Sequence, residues 1–434
     1  MRVLVIGAGH GGLTAARGLA KNGHDVTVYE KNLRDESGYE WHDDANPRFL
    51  EELGLPLPPA GTYFTKREWS IIVPGSNRWL KLKQKPETLD YSFFRRPLAK
   101  VFADGAERAG AKIEFGQRVE RLITDGPRVL GAAVGGKEIF CDLVIDSSGA
   151  TSPFRDGLSE SAGITKGKPH ELFFGYRAFY EVDESAARDP EHTNRCYPKL
   201  LGKQGISWCI QDPQGTVNVL IGMTGALKKD DFDELLAALK KDNPIIGEKI
   251  ALGGIFTVIP ARYPATKPVA DGYAAVGDAA YMTIPLIGSG IASSSKAGVM
   301  LAETVNKYGS ASLEVLWRYH VRFMREIGAK HMAIDCVKRW LLSADEKLLA
   351  DVFNSGMIAE EDFVTMMTGG MIKPGLKFLT GKIIPSIKNP MIAAALAPIL
   401  LKSIRASVAG AKIPAEYDKK KVEAWIKKVE RFFE

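Results

Sequence analysis

Three stretches of this 434-residue chain carry residue types at spacings that can do chemistry. In "RVLVIGAGHGGLTAARGLAKNGHDVTVYEK", Gly7, Gly9 and Gly12 fit G-x-G-x-x-G, and Glu30 follows Gly7 by 23 residues. Gly7 permits a tight turn, Gly9 lets the backbone approach a pyrophosphate, and Gly12 lets a helix pack on a strand. The helix N-terminus then faces the phosphates with unpaired N–H groups. Glu30 can accept both hydroxyls of an adenosine ribose, and an acid there disfavours a 2′-phosphate. In "VGDAAYMTIPLIGSGIASS", Asp278 lies against a glycine and two alanines, and Pro285, Gly288 and Gly290 precede a helix opening at Ile291. An acid in so small a turn suits a ligand hydroxyl, and the glycine-rich helix start suits a negative edge. In "YEWHDD", Trp41 can stack on a ring. His42, with a solution pKa near ~6.5, can pass a proton at neutral pH, oriented by Asp43 or Asp44. Equally, this is a loop whose Asp43 and Asp44 cap the short helix "NPRFLEELG". Both readings stay open.

The elements that must position these groups are legible around them. Arg2–Ile6 reads as a strand, a helix runs to the glycine stop at Gly23, and "DVTVYE" reads as a second strand. "CDLVIDSSGATSPFR" places a buried strand, Leu143 to Asp146, before Asp146-x-x-Gly149-x-x-Ser152-x-x-Arg155. Leu98, Val101, Phe102, Ala106 and Ala109 follow helical spacing, and "AKIEFGQRVERL" alternates like a strand. Phe173, Phe174, Tyr176, Phe179 and Tyr180 read as strand residues of a separate sheet.

Together, the glycine motif, D-x-x-G-x-x-S-x-x-R and G-D-A-A resemble the flavoprotein superfamily of aromatic hydroxylases and geranylgeranyl reductases. The resemblance implies FAD. Its ADP half is expected on the first motif, a ribityl hydroxyl on Asp278, and the flavin N1/O2 edge on the loop containing Pro285, Gly288, Gly290 and Ile291. It further implies Ala8, Gly11, Lys31, Arg96, Val119 and Gly149 as cofactor contacts. Most of residues 1–355 is similar to the geranylgeranyl reductases, including "FFRRPLAKVFADGAERAGAKIEF" and "GISWCIQDPQGTVNVLIG". Of that family's Y-x-W-x-F-P stretch, which lines its prenyl tunnel, only Trp208 is kept; Ile206, Ile210 and Gln211 replace the rest. Where the family tends to carry Cys-Gly beside the flavin, this chain has "GYEWHDD", and Tyr91 stands in place of an arginine. Trp41, His42, Trp208 and Cys209 are therefore the expected substrate-pocket residues, with His42 the candidate catalytic acid.

The implied fold is α/β: a Rossmann-type FAD-binding domain (1–60, 92–165 and 255–330), an inserted antiparallel sheet for substrate (61–91 and 166–254) and a helical C-terminal region (331–434). The implied function is reduction of carbon–carbon double bonds in a polyprenyl or other apolar substrate, with ferredoxin or NAD(P)H as electron donor. A flavin monooxygenase using O2, and a non-redox FAD-binding protein or cyclase, are the alternatives.

Composition narrows the rest. Hydrophobic residues are 45% and charged residues 25%, as in ordinary globular proteins. The four cysteines lack a C-x-x-C pair, so no metal site is expected. "MRVLVI" runs straight into the glycine turn without a targeting segment, which points to the cytoplasm. The longest charge-free apolar run, "PMIAAALAPILL", is shorter than the ~20 residues of a membrane span. Residues 371–434 hold 13 Lys/Arg against 5 Asp/Glu, whereas the whole chain is only +6. Aromatics do not interleave with these basic residues, which argues against nucleic acid. The final helix, "DKKKVEAWIKKVERFFE", gathers Val422, Trp425, Ile426, Val429, Phe432 and Phe433 on one face. That pattern suits a helical lid docked on the body, or a peripheral contact with an anionic membrane.

Overall fold

The computed structural model describes residues 1–65, 68–84, 89–370 and 386–434. Its first layer is a six-stranded sheet in the order Val269–Ala270, Tyr273–Ala275, Leu143–Asp146, Arg2–Ile6, Asp25–Glu30, Lys112–Phe115. All neighbours are parallel except the two-residue edge strand. Val3, Leu4 and Val5 pair with Leu143, Val144 and Ile145 on one side and with Val26, Thr27 and Val28 on the other. Such continuous apolar runs are what a parallel sheet covered by helices on both faces requires. Helices His10–Ala20 and Ile291–Tyr308 pack against each other beside it, so the first and last motifs meet.

The second layer is a seven-stranded sheet in the order Ile246–Ile259, Phe173–Val182, Thr216–Thr224, Gly205–Gln211, Asn194–Pro198, Glu68–Ile72, Trp79–Lys83. It is antiparallel apart from the Asn194–Pro198/Glu68–Ile72 pair. Its outer strand runs to Ile259, so the boundary expected at residue 254 falls inside a strand. The boundary expected at 331 likewise falls inside helix Ala329–Ser343. In a three-stranded sheet His42–Ala45 and Tyr63–Thr65 flank the central strand Tyr91–Phe94, so the "YEWHDD" stretch enters a strand rather than a loop. Three further strands, Val119–Asp125, Arg128–Val134 and Lys137–Phe140, form a separate meander.

The C-terminal third is helical. Helix Ala329–Ser343 carries the next layer, and helix Pro390–Ala411 lies along it. The charge-free run continues through Lys402 and Arg405 into one helix of 22 residues; among the described residues it alone is long and apolar enough to cross a membrane. The final helix, Lys419–Glu430, docks on the body. Val422, Trp425 and Val429 are buried, Trp425 donates its indole N–H to Ala409 O at 2.8 Å, and Phe433 stacks on Tyr263 at 3.9 Å. Beneath it, Glu171 accepts from Arg262 and Arg339, while Asp335 pairs with Lys338 and Arg339, tying these helices to the sheets.

Candidate functional site

A cavity of about 820 Å³ lies where the parallel sheet, the seven-stranded sheet and the C-terminal helices meet. One part of its lining is backbone-rich: Gly9 to Gly11, Ser147 to Gly149, Gly277, Asp278 and the loop from Ile284 to Ala292. Gly7 has φ +85°, and a Cβ there would stand 2.7 Å from Ser147 O, so only glycine makes this turn. A Cβ on Gly9 would stand 2.5 Å from Ser147 Oγ. The turn thus delivers the start of helix His10–Ala20 to the cavity, with the Gly12 N–H donating to Ser147 Oγ at 3.3 Å. Glu30 accepts from Ala8 N–H at 2.8 Å and Asn32 N–H at 2.9 Å, one on each carboxylate oxygen. Each oxygen keeps a lone pair for a ribose hydroxyl.

The second and third motifs are braced together. Buried Asp146 accepts from Ser148 Oγ (2.6 Å), Ser152 Oγ (2.5 Å) and Tyr273 Oη (2.7 Å). Arg155 donates to Ala150 O at 2.9 Å and Ala279 O at 3.2 Å, so it fixes the loop after Asp146 against the Asp278 turn. Burial pushes the Asp278 carboxyl up to about 6 against the pull of Arg95, and Asp43 adds to the rise. An anionic oxygen held short of full solvation is ready to accept a ligand hydroxyl. Helix Ile291–Tyr308 opens at Gly290 into the same space. Two helix starts, a backbone cradle that a Cβ would fill, and the carboxyl groups of Glu30 and Asp278 make a site that FAD would fit.

The rest of the wall is apolar with one charged inlay. Trp41, stacked on Tyr39 at 4.3 Å, and Trp208 both line the cavity, and the Arg177 guanidinium lies 5.3 Å and 5.4 Å from their rings. Arg177 is 6% exposed and donates to Asp43 Oδ1 (2.5 Å), His42 O (2.7 Å) and Asn218 Oδ1 (3.3 Å). Arg95 donates to the other Asp43 oxygen at 2.6 Å. Burial would raise the Asp43 carboxyl, but Arg177 and Arg95 outweigh it and hold it at about 2. Asp43 is therefore an ionised anchor that positions two cations, not a proton donor at neutral pH. Around this inlay stand Phe173, Leu220 and Ile259 from the sheet and Leu341, Phe353 and Phe363 from the helices.

A model of the NAD(P)-binding Rossmann-like domain matches residues 5–56. Over 385 residues, 86% of this chain and 94% of the relative, the sequence is 26% identical to a digeranylgeranylglycerophospholipid reductase of Methanothrix thermoacetophila. The reductase of the same name from Sulfolobus acidocaldarius is 22% identical over 410 residues, 90% of this chain and 88% of the relative. Among solved structures, a geranylgeranyl bacteriochlorophyll reductase-like protein of Thermoplasma acidophilum superposes with a TM-score of 0.73 at 19% identity, covering 92% of this chain and 98% of that one. This chain is an FAD-dependent oxidoreductase similar to the geranylgeranyl reductases. A flavin-dependent brominase shares the fold with a TM-score of 0.62 at 17% identity, covering 91% of this chain and 99% of that one.

In this reductase-like flavoprotein the sequence-expected residues divide. Gly9, Gly11, Gly149, Asp278, Pro285, Gly288, Gly290 and Ile291 line the cavity, as do Trp41 and Trp208. Gly7, Ala8, Gly12 and Glu30 stand behind it at the glycine turn, Lys31 is exposed, Val119 is buried at a strand start, and Arg96 reaches Glu40 at 3.4 Å. His42 is a correction. It is 0% exposed, its Nε2 lies 3.0 Å from both Asp212 carboxylate oxygens, and Phe64, Phe94 and Phe179 surround it edge-on. It does not line the cavity, whereas its neighbours Trp41 and Asp43 do. Capping by Asp43 or Asp44 is also absent: Asp43 holds the arginines, Asp44 accepts from Ser92 Oγ, and Asn46 Oδ1 meets the Arg48 N–H. Cys209 faces away from Trp208 into the core, where burial raises its thiol to about 12. The residue overlooked was Arg177; of Arg95 and Arg96, the neighbouring charges the sequence offered, Arg95 lines the cavity. The signal for Arg177 was a charge in the middle of the mostly apolar strand "FFGYRAFYEV", since buried charges require partners.

Proposed function

We propose that this oxidoreductase adds hydrogen across carbon–carbon double bonds of a polyprenyl lipid. The observation that carries the reading is the cavity, whose backbone cradle for the cofactor opens directly into an apolar chamber walled by Trp41, Trp208, Phe173, Leu220 and Phe353. The names of the relatives, reductases of digeranylgeranylglycerophospholipid, support the same substrate class. When bound, FAD supplies the hydride. The chain's residues orient the alkene and exclude water. Trp41 and Trp208 offer flat apolar faces, while the Asp43-bridged arginines hold those rings in place. Asp43 stays ionised, so the proton that completes the addition comes from another protein group or from water. Electrons come from ferredoxin or from transiently bound NAD(P)H, and the protein works in the cytoplasm, with its basic C-terminal region at a membrane's inner face.

The test is anaerobic incubation of the dithionite-reduced holoprotein with detergent-dispersed prenyl lipids, followed by mass spectrometry. The expected product gains two hydrogens per reduced bond as the flavin reoxidises. A reduced flavin that no prenyl lipid reoxidises, but that O2 reoxidises with oxygen inserted into a substrate, overturns the reading in favour of a monooxygenase.

A further inference from the structure

Helix Pro390–Ala411 has one buried and one exposed face. Its inner face, with Leu396, Ser403, Ala406 and Gly410, is buried against helix Ala329–Ser343. Its outer residues Met391, Ala394, Ala395, Pro398, Leu401, Arg405 and Val408 recur at helical spacing and are exposed. Met391 is 85% exposed, Leu401 47% and Val408 48%, and Ile387 just upstream is 73% exposed. Single exposed apolar residues are ordinary, but a continuous stripe along one helix is a contact surface. The stripe is also graded. From Met391 to Leu401 it carries no charge; beyond that, Lys402, Arg405 and Lys412 are exposed beside Val408.

We propose that this face docks the protein on an anionic lipid bilayer, with the Met391–Leu401 half in the acyl boundary and Lys402, Arg405 and Lys412 among the phosphates. This rests on the lipid-substrate reading above. Two observations select a bilayer as the occupant. Residues 386–434 hold ten Lys/Arg against five Asp/Glu, the complement of an anionic surface. The face is also one helix layer from the cavity: Ala329–Ser343 beneath it supplies Leu341 and Leu342 to the wall, and its neighbour Glu346–Asn354 supplies Leu349 and Phe353. The helix lies in the interface instead of spanning it, because its inner face is taken by the body and its second half carries exposed cations.

The experiment is flotation of the holoprotein with vesicles of phosphatidylglycerol and phosphatidylcholine, or of phosphatidylcholine alone. Binding is expected to the mixed vesicles and to fall as salt rises. Lys402→Glu/Arg405→Glu should lower the partition coefficient about tenfold to a hundredfold, and Met391→Asp/Leu401→Asp should abolish flotation. Ala395→Trp, which adds an interfacial anchor, should strengthen it. Circular dichroism and flavin content confirm that each variant is folded. Turnover of detergent-dispersed prenyl lipid should stay at the wild-type rate in all of them. If wild type and charge-reversed protein float equally, or if sedimentation shows a dimer that Met391→Asp separates, the docking proposal is overturned. If flotation behaves as expected while detergent-dispersed lipid is never reduced, docking stands and the substrate reading fails.

Discussion

Asp43→Asn removes the carboxylate that Arg95 and Arg177 share, and its cost follows from the geometry. The carboxyl moves from an ordinary 3.8 to about 2 in the folded protein. At ~1.36 kcal/mol per unit this is roughly 2 kcal/mol, an upper figure because solvent reaches 30% of the side chain. The almost fully buried Arg177 keeps His42 O and Asn218 Oδ1 as acceptors, so the loss stays near the lower end of the ~3–5 kcal/mol that breaking a buried pair costs. We expect Asp43→Asn to lower unfolding free energy by ~2–4 kcal/mol at pH 7, read by urea denaturation of the holoprotein. Because the folded carboxyl titrates below its unfolded value, the stabilisation is complete above pH ~4 and fades as pH falls towards 2. The gap between wild type and variant should narrow over that range. Arg177→Met in the Asp43→Asn background should recover ~1 kcal/mol or more, because it removes the stranded cation. A loss below ~0.5 kcal/mol for Asp43→Asn, strictly additive with Arg177→Met, would refute the reasoning.

Three further outcomes are expected. Gly9→Ala forces a Cβ to within 2.5 Å of Ser147 Oγ, so FAD affinity measured by equilibrium dialysis should fall about tenfold to a hundredfold; unchanged affinity would mean the cradle lies elsewhere. His42→Ala leaves Asp212 buried beside a void and should cost ~3–5 kcal/mol of stability, yet leave the pH profile of substrate-dependent flavin reoxidation unmoved. A flattened profile would restore His42 as a proton donor. Asp278 has its folded pKa raised from 3.8 to about 6 by burial, so its neutral form is the stabilising one. Relative to Asp278→Asn, the apoprotein should lose up to ~3 kcal/mol as pH rises from 4 through 6, read by paired thermal unfolding; a pH-independent gap counts against it.

The cofactor half of the site was legible in sequence because its logic is local. Strand, glycine turn, helix and Glu30 fall within 30 residues, and Asp146, Ser152 and Arg155 lie on one short loop. The apolar half was not, because it depends on register and distance. Trp208 and Cys209 differ only in which face of a strand they occupy. Asp43 meets an arginine 134 residues away. His42 looked reactive as a loop residue, and pairing with Phe94 across a strand turned it into a core residue. The short helices that close the cavity carry ordinary amphipathic patterns, with no local mark of what they would face.

The strand order of the parallel sheet has a consequence for biosynthesis. Leu143–Asp146 takes Arg2–Ile6 as one neighbour and Tyr273–Ala275 as the other, and the whole seven-stranded sheet except its first two strands is made between the last two. On the ribosome, Leu143–Asp146 therefore emerges with one edge open, and its second neighbour follows about 130 residues later, on the order of ten seconds at ~5–20 residues per second. Through that interval an apolar strand edge is presented to the cytosol, and neither Asp278 nor the helix at Ile291 exists to complete the cradle. FAD present during synthesis therefore meets a complete cradle only after the helix at Ile291 has emerged.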